Sequence, residues 1–384
     1  MSLKTDTSQV KKTVVLAAGG TGGHLFPAQA LAEELLSRGI RVVLVTDRRF
    51  EAYVQSFAGV EVRMIRSATL SGSPVQKLKG ALNILVGVLQ SRRIIASLKP
   101  VAVVGFGGYP SFPTMAAAAW LRRYSIIHEQ NSVLGRANRV LAGWVSKIAT
   151  SFHGTSHVPE EAQKKLVFTG NPVRAGIRAL RAAPYPALAE GGNINILVMG
   201  GSQGATVFSR VVPEAIRMLP PAHRARIILS QQCREADLPE VRAQYAELGF
   251  PAELATFFTD VPRRLEAAHL VITRSGASTV TELLTAGRPA ILVPYPRAMD
   301  DHQTYNANTV EDAGGGWLMP EEGFTAEALS GKLEQFLALP SALQEAAAEA
   351  RAIGHPEAAA LLAALVLQET YSAPAEAHHK EHAA

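Results

Sequence analysis

One cysteine, Cys233, stands in a chain of 384 residues, so no intrachain disulfide forms and no cysteine cage can hold a metal. A lone thiol suits a reducing compartment, where it is more often inert than catalytic. Charge is sparse too, 18% against 47% hydrophobic, which excludes bulk disorder and a coiled coil. No apolar run approaches the ~20 residues of a bilayer span. The longest, residues 81–89 and 358–367, fall far short, and no membrane crossing is expected. The opening MSLKTDTSQVKK has no apolar core of the signal-peptide kind, so export is not expected either. A net charge of +5 fits an acidic membrane surface, anionic ligands or mere solubility, and no nucleic-acid partner is expected.

What the chain has is length and alternation. It is too long for one ordinary core and predicts two domains of roughly 150 to 200 residues. Apolar strand-like runs alternate with helical stretches in both halves, which predicts an α/β fold with two Rossmann-like, doubly wound parallel sheets. Strands are expected near residues 14–17, 42–46, 62–65, 101–105, 125–128 and 148–150, and again near 195–199, 226–229, 252–257, 270–273 and 290–293. The Pro- and Gly-punctuated stretch 171–192 marks the joint. Residues 1–175 and 176–354 are therefore expected as domains, and the polar residues 371–384 as a mobile tail.

The first strand runs into Gly19, Gly20, Gly22 and Gly23, then His24, then a helix. Such a turn aims backbone N–H groups at a phosphate, and the helix dipole at His24 disfavours imidazolium, leaving a ring able to accept a proton. A Walker loop is excluded because His24-Leu25 stands where Lys-Ser/Thr is needed. The dinucleotide fingerprint is weakened by Leu25 at its third glycine, although Asp47 is a candidate ribose ligand. Two further segments end strands on the same sheet edge: GFGGYPSFP from Gly105 and HEQN from His128. The latter also reads as a buried pair, His128 and Glu129, that fixes a loop.

The second half repeats the device in GGSQGA from Gly200, where Ser202 can add a hydroxyl to the backbone amides. RSGASTVTE, from Arg274, opens another helix; Glu282 reads either as a ribose ligand or as the capping partner of Thr279. The segment from Pro294 to Asn306 is rich in hydroxyl-reading groups. Its consecutive Asp300, Asp301 and His302 seldom converge on one ion, so no metal is expected. No serine elbow is present, and covalent catalysis is not indicated.

In order, GGTGGH, GFGGYPSFP, HEQNSVLGRAN, TGNPVR, GGSQGA, RSGASTVTEL and DDHQTYNA resemble the MurG family of peptidoglycan N-acetylglucosaminyltransferases, over residues 13–369. The resemblance implies a GT-B fold whose final helix, residues 355–370, returns to the first domain. It implies inverting transfer of N-acetylglucosamine from UDP-N-acetylglucosamine to the C4 hydroxyl of the muramyl sugar of lipid I, giving lipid II, with no cofactor. By the same resemblance His24 is the general base. Arg174, Ser202, Ala277, Ser278 and Thr279 face the diphosphate, Glu282 the ribose, and His302 and Gln303 the sugar. Thr21, Gly22, Gly23 and Asn131 complete the donor side, while Gly19, Gly20, Tyr109, His128 and Glu129 shape the acceptor side. Paired glutamines are frequent in the family where this chain has His302-Gln303, which loosens the reading at 302.

A polyprenyl acceptor implies a peripheral place on the cytoplasmic face of the plasma membrane, with other wall-synthesis proteins as possible partners. Residues 75–97 mix Leu78, Leu82, Ile84, Leu85 and Val88 with Lys77, Lys79, Arg92 and Arg93, and Trp120-Leu121-Arg122-Arg123 repeats the mixture. Such segments bind anionic headgroups, and equally form ordinary helices with an apolar face in the core. Rival functions on the same fold are transfer to diacylglycerol, epimerisation of UDP-N-acetylglucosamine, and a non-catalytic scaffold that holds a sugar nucleotide.

Overall fold

The structure is a computed structural model that describes residues 12–20, 22–48, 57–69, 72–201 and 204–369. Among these, the first half forms a seven-stranded sheet in the order β3-β2-β1-β4-β5-β6-β7. Its strands are β1 (Thr13–Ala17), β2 (Arg41–Thr46), β3 (Glu61–Met64), β4 (Ala102–Gly105), β5 (Ser125–Glu129), β6 (Lys147–Thr150) and β7 (Leu166–Phe168). Its helices are α1 (Gly22–Ser37), α2 (Pro74–Leu98), α3 (Ser111–Trp120) and α4 (Arg136–Ala142), with the short α5 (Ala175–Arg178) at the joint.

The second sheet has six strands in the order β10-β9-β8-β11-β12-β13. They are β8 (Ile194–Met199), β9 (Ile227–Gln232), β10 (Ala252–Ala255), β11 (Leu270–Thr273), β12 (Ala290–Leu292) and β13 (Gly316–Leu318). Around them lie α6 (Thr206–Met218), α7 (Pro221–Arg224), α8 (Leu238–Glu247), α9 (Val261–Ala267), α10 (Ala277–Ala286), α11 (His302–Asp312), α12 (Ala326–Ala338), α13 (Ser341–Ala352) and α14 (Ala358–Leu367).

Among the described residues every strand pair is parallel. Parallel strands need helical crossovers, which cover both faces, so strand interiors read as unbroken apolar runs. TVVLA in β1 is buried throughout. Alternate residues serve opposite faces: Val14 and Leu16 join one core cluster, Val15 the other. In the second sheet Ile196 and Val198 part from Leu197 in the same way. Cys233 is buried there, and burial pushes its thiol up to about 11, as fits an inert side chain.

The predicted strands are present with ends shifted by a few residues, and β7 and β13 are additions. Each is a three-residue edge strand, too short to show a period. The chain ends its described course on the first sheet. Leu362, Ala363 and Val366 of α14 enter the cluster of Val14 and Leu31, and the Tyr124 hydroxyl donates to the Leu365 carbonyl at 3.3 Å.

α2 departs most from expectation. Ser73 caps it, its hydroxyl accepting from the Gln76 N–H while the Gln76 side chain accepts from the Ser73 N–H, and the helix runs 25 residues. By length and composition it is long and apolar enough to cross a membrane, although its longest unbroken apolar run is short. Yet it packs along one narrow stripe: only Gly80, Gly87, Ser91 and Ile95 are buried, and the Ser91 and Thr114 hydroxyls meet at 3.2 Å. At Gly87 a Cβ would fall 2.1 Å from the Arg66 carbonyl oxygen, so only glycine permits this approach. One face is thus committed to the domain, while Val75, Leu78, Leu82 and Leu85 are more than half exposed.

Candidate active site

Both sheets reverse strand order beside their first strand, between β1 and β4 and between β8 and β11. Ligands of open α/β sheets lie at the carboxyl ends of strands at that switch point. The glycine loops after β1, β4 and β8 and the start of α10 all lie there.

On the first sheet the two glycine loops touch. A Cβ on Gly108 would lie 2.1 Å from the Gly19 carbonyl oxygen, and one on Gly107 would lie 2.9 Å from Nδ1 of His24. His24, in the first turn of α1 and half-buried, directs Nδ1 to Oε1 of Gln130 at 3.1 Å. The Gln130 amide nitrogen in turn donates to Nδ1 of His128 at 3.0 Å and to the His128 carbonyl at 3.0 Å. His128 is fully buried with Nε2 3.1 Å from the Gly170 carbonyl. Loss of water drives its imidazole down to about 4, against the upward pull of that carbonyl.

Glu129 is buried, and its carboxylate is fully engaged. Oε1 accepts from the N–H and the amide of Asn131, both at 3.1 Å, and Oε2 from Gly135 N–H at 2.9 Å and the Asn138 amide at 2.8 Å. His128 and Glu129 therefore do not pair with each other. Each holds separate neighbours, and Glu129 organises the loop that carries Asn131. Tyr109 stands at the rim, 42% exposed.

The second sheet presents α10. Its cap residue is Gly276, in extended backbone, and no side chain caps the first N–H groups, those of Ala277, Ser278 and Thr279. The Thr279–Glu282 capping box is not formed. Glu282 instead accepts from Nε of Arg174 at 2.9 Å, with a second guanidinium nitrogen at 2.8 Å. Burial pushes its carboxyl up, and the charge and hydrogen bond of Arg174 pull it back. Arg174 also lies 4.4 Å over the Phe26 ring of α1. His302 opens α11, its Nδ1 2.8 Å from the Met299 carbonyl, and Gln303 Oε1 accepts from the Tyr295 N–H at 3.0 Å.

Contacts join the two sides. The Ser278 hydroxyl donates to the Gly23 carbonyl at 3.3 Å, which sets the starts of α1 and α10 face to face. The Asn306 amide donates to Asn131 Oδ1 at 3.1 Å while its Oδ1 accepts from Ser132 N–H at 2.9 Å. Asp300 bonds Arg136 at 2.8 Å and also Arg139. Gln130, Asn306 and Asp300 fall inside segments singled out from the sequence but have no individual site role there, and the pairing of Asp300 with Arg136 and Arg139 is new. Gln130 was legible by position, inside HEQN, whereas the cross-sheet contacts have no sequence signal. Thr21 and Ser202 lie outside the described residues, while Gly19, Gly20, Gly22 and Gly23 line the loop that carries His24.

Two parallel α/β units with opposed helix starts across a cleft form the GT-B architecture, which the family matches below assign to a glycosyltransferase. The glycosyltransferase family 28 N-terminal domain matches residues 14–150 and the family 28 C-terminal domain residues 195–362. A relative from Rhodospirillum centenum, named UDP-N-acetylglucosamine--N-acetylmuramyl-(pentapeptide) pyrophosphoryl-undecaprenol N-acetylglucosamine transferase, is 55% identical over 92% of this chain and 93% of its own. The crystal structure of Acinetobacter baumannii MurG superposes with a TM-score of 0.75 at 29% identity, covering 93% of this chain and 99% of that one. The chain belongs to the MurG family. S. aureus MnaA, solved with UDP, shares the fold at a TM-score of 0.67 and 13% identity, covering 94% and 99% of the two chains.

Proposed function

We infer that the chain transfers N-acetylglucosamine from UDP-N-acetylglucosamine to the C4 hydroxyl of the muramyl sugar of undecaprenyl-pyrophosphoryl-N-acetylmuramyl-pentapeptide, giving lipid II. The family supports this activity over transfer to diacylglycerol, epimerisation or scaffolding. One observation carries the division of labour within the site: the Ser278–Gly23 contact brings the uncapped start of α10 opposite the loop that bears His24. In this reading His24 takes the proton of the acceptor hydroxyl as the oxygen attacks the anomeric carbon from the face opposite UDP. The diphosphate departs toward the N–H groups of Ala277, Ser278 and Thr279, where partial positive charge stabilises it. Glu282 keeps Oε2 without a protein partner among the described residues, which suits it to a ribose hydroxyl. Gln303, its oxygen held by Tyr295, turns amide hydrogens toward the sugar.

The exposed apolar face of α2, flanked by Lys77, Lys79, Arg92 and Arg93, supports a peripheral seat on an anionic membrane. Arg92 lies 4.8 Å over Trp120, which joins the basic and aromatic parts of that surface. The decisive experiment incubates the chain with labelled UDP-N-acetylglucosamine and a lipid I analogue. Product forms with that acceptor, persists in EDTA and is absent with diacylglycerol. His24→Ala abolishes transfer but leaves UDP binding intact; unchanged turnover in that variant removes His24 as base.

A further inference from the structure

The bonds from Gly170 to His24 admit one arrangement of protons. A carbonyl oxygen only accepts, so Nε2 of His128, 3.1 Å from the Gly170 oxygen, carries hydrogen. Full burial keeps that ring neutral, so its Nδ1 is a lone pair. The Gln130 side chain therefore turns its NH2 toward His128. Both amide hydrogens are used there, one on Nδ1 and one on the His128 carbonyl, each at 3.0 Å. A flipped amide would set its oxygen against two acceptors at once. Oε1 is left facing His24 Nδ1 at 3.1 Å, and as an oxygen it can only accept. His24 must hold its proton on Nδ1.

We propose that Gln130 is a positioning residue that sets the tautomer of His24, so that the imidazole presents an unprotonated Nε2 to the cleft. Nε2 of His24 has no protein partner among the described residues. Gln130 is buried, and Gly107 lies beside the Nδ1–Cε1 edge of the His24 ring, where a Cβ would fall 2.9 Å from Nδ1, so only glycine leaves the ring free to meet the Gln130 amide. An imidazole that donates from Nδ1 accepts at Nε2 without first exchanging its proton. The catalytic consequence rests on His24 as the base, whereas the tautomer itself does not.

The test is long-range 1H–15N spectroscopy on full-length protein labelled at histidine nitrogens, with the His24 signals identified by their loss in His24→Gln. The expected wild-type pattern is protonated Nδ1 and unprotonated Nε2 at His24. In Gln130→Leu the His24 signals move toward a mixture of tautomers, kcat falls roughly tenfold, and UDP affinity by calorimetry stays within about twofold. A wild-type spectrum with hydrogen on Nε2 overturns the proposal even where the variant does not fold. So does a Gln130→Leu spectrum identical to wild type. Full turnover in His24→Ala with the expected tautomer removes the base assignment instead, and leaves the Gln130 bond standing.

Discussion

His128 couples the buried side of the site to pH. In an unfolded chain the imidazole titrates near ~6.5, while in the native state burial holds it down to about 4. Between those values the unfolded chain binds a proton that the native state refuses. The stabilising effect is complete above the unfolded value and is lost as pH falls toward the folded one, reaching ~2 kcal/mol by pH 5. The urea midpoint of the wild type is expected to fall further between pH 7 and pH 5 than that of His128→Gln, and equal falls would contradict this account. HEQN had marked these residues as important from sequence, but their partners were not legible. Gly170 lies 42 positions away from His128, and the four donors on Glu129 depend on how residues 131–138 fold back.

At the scale of elements, α2 shows where sequence pattern stops informing. Leu78, Leu82, Leu85 and Leu89 fall at i, i+4, i+7 and i+11, the spacing of a core-facing stripe. The structure turns that stripe outward, with Leu78 73% and Leu82 61% exposed, and buries the face of Gly80, Gly87 and Ser91 instead. Periodicity locates an apolar face and cannot say what it meets. Burial of a leucine in lipid is worth ~1.5–3 kcal/mol, so Leu78→Glu with Leu82→Glu is expected to weaken sedimentation with anionic vesicles by more than about tenfold. Thermal stability should change little, since neither side chain supports the fold. Reversal of Arg92, Arg93, Arg122 and Arg123 to glutamate should weaken the same binding in a salt-dependent way, each charge near the surface being worth ~1 kcal/mol. Unchanged sedimentation in both variants would exclude this surface. The central strands, by contrast, were legible because parallel strands buried on both faces are continuous apolar runs; β7 and β13 were not, because edge strands of three residues carry no such run.

At the scale of the whole molecule, the two-sheet architecture was readable from repetition: an apolar strand, a glycine turn and a helix, twice over. The contacts between the halves were not, because they pair residues more than 100 positions apart, as Arg136 with Asp300 and Asn131 with Asn306. Asp300 had been grouped with sugar-reading residues. It sits in left-handed backbone at the turn before α11, and the Arg136 hydrogen bond, with Arg139 beside it, holds its carboxyl below the usual range. Both arginines belong to α4 of the first half, so this pair ties the halves across the cleft without touching either helix start. Arg136 is largely exposed, which limits the pair to a small, salt-screened contribution. If donor binding needs the halves drawn together, losing that contribution lowers the competent population, and apparent affinity falls by the same factor. Asp300→Asn is therefore expected to raise the UDP dissociation constant about two- to fivefold at low salt, with the difference shrinking as ionic strength rises. Calorimetric titration at two salt concentrations measures it. An effect that persists undiminished in high salt would place Asp300 in direct contact with the donor and return it to the group of sugar-reading residues.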